Sequence, residues 1–118
     1  MDKVIVAGTR YFNNYDLICK KLDYFLCNLK DVEIVSGTAR GADSLGERYA
    51  KENNLVLKQF PANWDKYGKR AGYLRNSQMA DYADYLVAFW NGKSKGTSHM
   101  INLAKEKGLK VRVVYYEL

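Results

Sequence analysis

Five short apolar segments constrain the fold of this chain more than any other feature of its sequence. They are rich in β-branched and aromatic residues, which favours strands, and they cover residues 3–7, 32–36, 55–60, 85–89 and 110–115. In each interval between them, apolar residues recur every three or four positions, which predicts amphipathic helices. These helical patterns cover residues 15–29, 42–53, 71–82 and 97–107. Strands and helices therefore alternate along the chain.

Strands that alternate with helices pair in parallel through right-handed crossovers. Continuous apolar runs are typical of strands that are covered on both faces of a sheet. The sequence therefore predicts the α/β class: a doubly wound sheet of five mostly parallel strands in the order 3-2-1-4-5, with helices on both faces. The chain has 118 residues and one proline, and we find no repeat or low-complexity tract, so we expect a single domain over residues 1–118.

The charge balance indicates an anionic partner. Lys and Arg number 19 against 13 Asp and Glu, which gives a formal net charge of +6 with the single His neutral. The sign of this charge does not separate a nucleotide from a polynucleotide. No apolar run approaches the about 20 residues of a membrane span, and the start of the chain leads directly into a strand pattern without a signal peptide. We therefore expect a cytoplasmic protein with no membrane association.

The two cysteines predict neither a disulfide nor a metal site. Within one helix, Cys19 and Cys27 would lie about 12 Å apart along the axis, which exceeds the roughly 7 Å between Cα atoms that a disulfide allows. One His and two Cys do not make up a zinc ligand set or a Cys–His nucleophile. We expect two buried thiols and no metal.

Four loops follow the first four predicted strands and meet at one edge of the sheet. Their sequences are GTR at 8–10, SGTARGAD at 36–43, PANWDKYGKRAG at 61–72 and WNGKSKGT at 90–97. Eight of the 19 basic residues fall in these loops or directly after them: Arg10, Arg40, Lys66, Lys69, Arg70, Arg75, Lys93 and Lys95. In doubly wound sheets, ligands bind beyond the carboxyl ends of the strands, where strand order reverses. We therefore expect the loops after strands 1 and 4 to flank a ligand crevice.

Glycines in these loops favour a phosphate group. Glycine lets the backbone approach a ligand closely, so that successive N–H groups can surround an anion. The loops 37–41 and 92–96 also open helices, whose N-terminal N–H groups and dipole attract phosphate. Neither loop matches the P-loop or the G-x-G-x-x-G pattern, and each alone is also an ordinary turn. Together, with Arg or Lys in every loop, they predict a small ligand that bears phosphate.

Aromatic and acidic residues in the same loops leave alternatives open. Trp64, Tyr67 and Trp90 could stack on a nucleobase, although the two tryptophans could equally close the hydrophobic core over the strand ends. Asp43 stands in the first turn of the second helix, where it could stabilise the helix N-terminus. It could instead bind a ribose hydroxyl or act as a general base.

The succession of motifs resembles a known family. The motifs are GTRYF at 8–12, SGTARGAD at 36–43, FPANWDKYGKRAG at 60–72, RN at 75–76 and ADYLVAFWNGKSKGT at 83–97. Their order resembles the YspA/YpsA-related branch of the SLOG superfamily, which occurs in bacteria and their phages, and the resemblance covers nearly the whole chain. It implies a compact Rossmann-like fold that binds nucleotides or nucleotide-derived ligands at its glycine-rich loops. The superfamily includes the LOG phosphoribohydrolases, the DNA-binding DprA proteins and sensor domains of bacterial conflict systems.

Site residues follow from the positions that match. The resemblance implies ligand-binding roles for Gly8, Thr9, Arg10, Ser36, Gly37, Arg40, Gly41, Asp43, Arg75, Asn76, Gly92, Ser94, Gly96 and Thr97. The composition of the loops adds Tyr67, Lys69 and Trp90. The LOG hydrolases carry a PGGxGTxxE signature whose Glu serves N-glycosidic cleavage, but Met100 stands at the corresponding position here and cannot activate water. Hydrolysis would need another carboxylate, and Asp43 is the nearest candidate.

The sequence leaves three functional hypotheses. The first is a sensor or sequestering module that binds a nucleotide or nucleotide-derived small molecule, with no further cofactor expected. The second is a phosphoribohydrolase-like enzyme that cleaves the N-glycosidic bond of a nucleotide, and the third is a binder of single-stranded nucleic acid, as DprA is. Acidic residues are scarce in the four loops and basic residues are clustered there, which favours the first hypothesis, the binding module. Ten tyrosines would also suit a homo-oligomeric interface, although surface tyrosines on a monomer fit equally well.

Overall fold

The computed structural model describes residues 1–116. Its strands are β1 (Asp2–Gly8), β2 (Val32–Ser36), β3 (Val56–Gln59), β4 (Tyr85–Trp90) and β5 (Lys110–Tyr115). Its α-helices are α1 (Tyr15–Leu26), α2 (Ala42–Glu52), α3 (Trp64–Tyr67), α4 (Ala71–Tyr82) and α5 (Lys95–Glu106). A 3-10 turn over Gly68–Arg70 joins α3 to α4.

The strands form one parallel sheet in the order β3-β2-β1-β4-β5, which confirms the predicted doubly wound fold. In the centre of this sheet, Ile5 of β1 pairs with Val35 on one side and with Leu86 on the other. The chain runs outward from β1 to β3 and then returns to pair β4 with the free side of β1. Strand order therefore reverses between β1 and β4, and the loops that follow these two strands flank a crevice.

Hydrophobic residues cover both faces of the sheet. Successive side chains of a strand point to opposite faces, and β1 accordingly contributes to two separate core clusters. Val4 and Val6 pack in the cluster that contains Ile18 of α1, whereas Ile5 packs in the cluster that contains Met79 of α4. This two-sided burial holds β1 in the middle of the sheet, with its carboxyl end at the crevice.

The expectation of two buried thiols is wrong. The buried face of α1 runs through Ile18, Leu22 and Leu26, and the helix ends at Leu26 rather than at residue 29. Cys27 lies directly after the helix and is exposed, while Cys19 lies at the border of the buried face and is half-buried. Both cysteines are free, in agreement with the expectation that they form no disulfide.

The segment between β3 and α4 contains more regular structure than its sequence predicts. The side chain of Asn63 accepts a hydrogen bond from the Lys66 N–H at 3.1 Å and so caps the short helix α3. At the other end of this helix, Gly68 adopts a φ of +57°, a left-handed conformation that glycine adopts without strain. A single helical turn of this kind leaves no periodic pattern in a sequence, which explains why residues 62–70 resemble a plain polar loop.

No helix among residues 1–116 combines the length and the apolar character that crossing a membrane requires. The same residues contain no group of three His, Cys, Asp or Glu side chains that could hold a metal ion.

Candidate functional site

Two adjoining clefts open at the carboxyl ends of the central strands. The first cleft, of about 250 Å³, lies where β1 and β4 end, and its apolar lining includes Ala7, Met79 and Met100. The second cleft, of about 540 Å³, lies against the loops that follow β1 and β2. The two clefts share four lining residues: Arg10, Ala39, Trp64 and Arg75. They therefore form one continuous depression at the point where strand order reverses.

Arg75 of α4 reaches across to the loop that follows β2. Its Nη1 donates a hydrogen bond to the Gly37 carbonyl, and its Nε donates to Asn76 Oδ1 at 3.0 Å. A Cβ atom on Gly37 would lie 2.7 Å from Arg75 Nη1 and 2.9 Å from Asp43 Oδ2, so any side chain there would push both groups aside. Burial lowers the pKa of Arg75, and the nearby Asp43 carboxylate partly opposes this change. Glycine at 37 thus allows a guanidinium and a carboxylate to lie side by side at the clefts.

Asp43 is a buried carboxyl group that lines the first cleft. Only 5% of the residue is exposed, and its Oδ2 accepts a hydrogen bond from the Ala39 N–H at 3.2 Å. Within residues 1–116, no group donates a hydrogen bond to its other oxygen, Oδ1. Burial raises the pKa of Asp43 to about 6, although the Ala39 hydrogen bond and the charge of Arg75 lower it in part. Asp43 is therefore able to accept a hydrogen bond from a ligand hydroxyl or to exchange a proton near neutral pH.

The N-terminus of α5 opens onto the first cleft, where Ser94, Gly96 and Thr97 line it. Ser94 caps the helix, since its Oγ accepts hydrogen bonds from the Thr97 N–H at 3.4 Å and from the Thr97 Oγ1 at 3.1 Å. The first intrahelical bond is donated by the Ser98 N–H to the Ser94 carbonyl. The N–H groups of Lys95 and Gly96 precede this bond and are available to an anion, which the positive end of the helix dipole also favours.

Asn76 ties α4 to the first turn of α5. The residue is 6% exposed, and its Nδ2 lies 3.4 Å from the Gly96 carbonyl oxygen and 3.2 Å from His99 Nδ1. The ring of Tyr73 packs edge-on against that of His99, with 4.4 Å between their centroids. Burial lowers the pKa of His99, which favours the neutral ring as the partner of Asn76. These contacts fix the wall of the first cleft on the side of α4 and α5.

The structure brings most of the predicted site residues together at the two clefts. The predicted residues that line one or both of them are Gly8, Arg10, Gly37, Arg40, Asp43, Lys69, Arg75, Asn76, Ser94, Gly96 and Thr97. The predicted residues that line neither are Thr9, Ser36, Gly41, Tyr67, Trp90 and Gly92.

Two of the predicted residues that line neither cleft hold the neighbouring loops in place through hydrogen bonds. Ser36 is fully buried, and its Oγ donates to Glu47 Oε2 at 2.6 Å and accepts from the Thr38 N–H at 3.0 Å. Thr9 Oγ1 accepts a hydrogen bond from the Asn91 N–H at 3.4 Å. Ser36 therefore shapes the loop after β2, and Thr9 joins the loops after β1 and β4.

The aromatic residues of the loops separate into two groups. Trp90 packs beside Tyr115, with 5.7 Å between ring centroids, and its Nε1 donates to the Ser94 carbonyl at 3.1 Å. Tyr67 lies outside both clefts. Trp64 lines both clefts and is 50% exposed, and Tyr73 lines the first cleft. Trp64 therefore does not close the core. The aromatic side chains that line the clefts are those of Trp64, Tyr73 and Tyr11, the last of which lines the second cleft.

Sequence reasoning missed Glu47 and Tyr73. Glu47 Oε2 accepts hydrogen bonds from Ser36 Oγ and from Gln59 Nε2, the latter at 3.2 Å, so it links β2 to the end of β3. Its position one helical turn after Asp43 was a usable signal, because residues four apart share a helix face. Tyr73 precedes Arg75 and Asn76 on α4 and has no comparable signal in the sequence.

Comparison with known proteins places the chain in a family. Residues 2–67 match the profile of the YspA, cpYpsA-related SLOG family. The chain is also similar to the Gene 61 protein of Mycobacterium phage D29. The two are 32% identical in an alignment of 118 positions that covers 94% of each chain. The chain belongs to the YspA, cpYpsA-related SLOG family.

Membership of the SLOG family indicates a nucleotide-related function on a Rossmann-like fold. The segment that matches the SLOG profile runs from β1 to α3 and contains the loops after β1 and β2. No solved structure matches the chain significantly.

Proposed function

We propose that this SLOG protein binds a nucleotide or nucleotide-derived small molecule in the two clefts and acts as a sensor or sequestering module. The observation that carries the proposal is the convergence of Arg10, Lys69 and Arg75 with the N-terminus of α5 around one cleft that also has an apolar lining. Cations and a helix N-terminus favour phosphate, while the apolar lining suits a base or sugar. A nucleotide combines these two kinds of chemistry in one molecule.

Each part of a nucleotide has a partner at this site. The phosphate would lie among Arg10, Arg75 and the N–H groups of Lys95 and Gly96. The free Oδ1 of Asp43 would accept a hydrogen bond from a ribose hydroxyl, and the ring of Trp64 or Tyr73 would stack on the base. This assignment uses the half-buried Arg75 and the buried Asp43, whose hydrogen bonds to the protein already hold them in place.

A second candidate function is hydrolysis of the bound nucleotide. The specific observation in its favour is that Asp43 lines the first cleft and has its pKa raised to about 6 by burial, which suits proton transfer near neutral pH. Met100 also lines this cleft but carries no group that transfers a proton. Asp43 would therefore act as the general acid or base for cleavage of the N-glycosidic bond.

Thermal unfolding in the presence of nucleotides tests the binding function. We expect ribonucleotides to raise the unfolding temperature, because a ligand at 100 times its Kd adds about 2.7 kcal/mol to the free energy of unfolding. Arg10→Ala should make the free energy of nucleotide binding less favourable by about 1.5–3 kcal/mol, the typical contribution of a charge-assisted hydrogen bond. Arg112→Ala is the matched control, since Arg112 is exposed on β5 and lines neither cleft.

The absence of a shift with every nucleotide, together with salt-sensitive binding of single-stranded DNA, would contradict the proposal and favour the DprA-like hypothesis. An equal shift in the parent protein and in Arg10→Ala would place the ligand elsewhere. Chromatography of the same mixtures separates binding from hydrolysis, because turnover that Asp43→Asn abolishes would establish the enzyme.

A further inference from the structure

The two clefts differ in the charged groups that line them. Three arginines, Arg10, Arg40 and Arg75, line the second cleft, and no Asp or Glu is among its lining residues. The first cleft contains Asp43 beside its cations. The second cleft is thus surrounded by positive charge alone, whereas the first offers both a cationic and an anionic partner to a ligand.

The protein offsets the charge of these arginines only in part, through the Asp43 carboxylate that lies beside Arg75. The salt bridges within residues 1–116 join Arg48 to Glu52 and Lys107 to Asp81, and neither involves Arg10, Arg40 or Arg75. Like charges around one cavity repel one another, and a bound anion would remove that repulsion. Guanidinium groups are also well matched to phosphate, since they present several N–H donors in a plane.

The cations differ in which cleft they line. Lys69 lines the first cleft but not the second, Arg40 lines the second but not the first, and Arg10 and Arg75 line both. A phosphate group bound between Arg10 and Arg75 therefore lies at the junction of the clefts. A further phosphate linked to it would enter the second cleft and meet Arg40.

We propose that the ligand of this site carries two or more linked phosphate groups, with its nucleoside in the first cleft and its outer phosphate in the second, beside Arg40. This proposal rests on the proposed nucleotide-binding function and narrows its ligand to nucleoside diphosphates and compounds with a longer or bridging phosphate chain. Arg40 is then the residue that distinguishes these ligands from nucleoside monophosphates.

Isothermal titration calorimetry with matched pairs of ligands tests the proposal. The probes are the four ribonucleoside monophosphates and the corresponding diphosphates, titrated into the whole chain. For the base that binds best, we expect the diphosphate to bind at least about tenfold more tightly than the monophosphate, because one added charge-assisted contact is equivalent to about that factor. Arg40→Ala should bring the diphosphate affinity close to that of the monophosphate and change the monophosphate affinity less than about twofold.

Two further variants complete the experiment. Lys69→Ala should weaken the monophosphate and the diphosphate by similar factors, because Lys69 lines only the first cleft. Arg112→Ala, a matched change of an exposed arginine outside both clefts, should alter neither affinity. Both Arg40 and Lys69 are exposed, so these variants are expected to fold as the parent protein does.

The titrations distinguish a failure of the phosphate-chain proposal from a failure of the nucleotide-binding function. Equal affinities for the two members of every pair, or an Arg40→Ala variant that weakens both members equally, would overturn the proposal of a phosphate chain and leave the nucleotide-binding function intact. If none of the nucleotides binds, both proposals fail. If an oligothymidylate binds to the parent protein, loses affinity in Arg40→Ala and is not displaced by a diphosphate, the second cleft holds a nucleic-acid backbone instead.

Discussion

Asp43 shows how one buried carboxyl group makes stability depend on pH. Burial raises its pKa from the ordinary 3.8 to about 6, so the folded chain holds the proton more tightly than the unfolded chain does. The resulting stabilisation is complete below about pH 4 and is lost as the pH rises through about 6. At neutral pH the fold therefore contains a carboxylate that opposes burial, and a ligand hydroxyl that donates to Oδ1 would offset part of this cost.

We expect Asp43→Asn to be more stable relative to the parent protein at pH 7 than at pH 4. Asparagine cannot ionise, and its amide oxygen can still accept the hydrogen bond from Ala39. One pKa unit corresponds to about 1.4 kcal/mol, so the stability difference should change by about 2–3 kcal/mol between the two pH values.

Urea unfolding at both pH values measures this change. Asp65→Asn is the matched control, since it makes the same change at an exposed carboxyl group. A stability difference between Asp43→Asn and the parent protein that is independent of pH would show that burial does not perturb this carboxyl group.

Among the helices, two N-caps of similar chemistry allow the effect of a cap on stability to be measured apart from its effect on binding. Asn14 caps α1, where its Oδ1 accepts from the Leu17 N–H at 3.0 Å, and it lines neither cleft. Ser94 caps α5 at the first cleft. We expect Asn14→Ala and Ser94→Ala each to lower the free energy of unfolding by about 0.5–2 kcal/mol, because each removes an N-cap acceptor.

Only Ser94→Ala should also weaken nucleotide binding, because the cap orients the N–H groups of Lys95 and Gly96. Chemical denaturation gives the stability of each variant, and titration with a nucleotide gives its affinity. Equal losses of affinity in the two variants would show that binding follows global stability rather than the geometry of α5.

The elements differ in how far the sequence predicts them. The helices around β1 are predicted well because each buries one face against the sheet, and this burial imposes a period on the sequence. The sequence pattern extends α1 to residue 29 because Leu29 continues the apolar spacing, although the helix ends at Leu26. The short helix α3 depends on local contacts of Asn63 and Gly68, which leave no period at all.

In the molecule as a whole, the topology of the sheet determines where the clefts lie. Parallel strands in the order β3-β2-β1-β4-β5 bring the loops after β1, β2 and β4 to one edge, so that residues far apart in the chain line the same clefts. Loop composition could not predict the direction of each side chain. Trp90 turns towards Tyr115 rather than towards a cleft, because tertiary packing decides the orientation of a residue at the end of a strand.

The assembly of the molecule stays a prediction. Tyr11, Tyr24 and Tyr115 are 79%, 73% and 68% exposed, and tyrosine is enriched at protein interfaces. These residues belong to three separate parts of the chain: the loop after β1, α1 and β5. Both clefts are lined by residues of a single chain, so the proposed binding function does not require a second copy.

Amide chemical-shift mapping of the labelled protein tests the claim that a nucleotide binds where strand order reverses. ADP and GDP would be titrated in turn into the whole chain. We predict that the largest shifts occur at the amides of Gly8, Arg10, Ala39, Gly96 and Thr97, which surround the two clefts. Largest shifts along α1 or β5, or no shifts at these amides with either nucleotide, would contradict the claim.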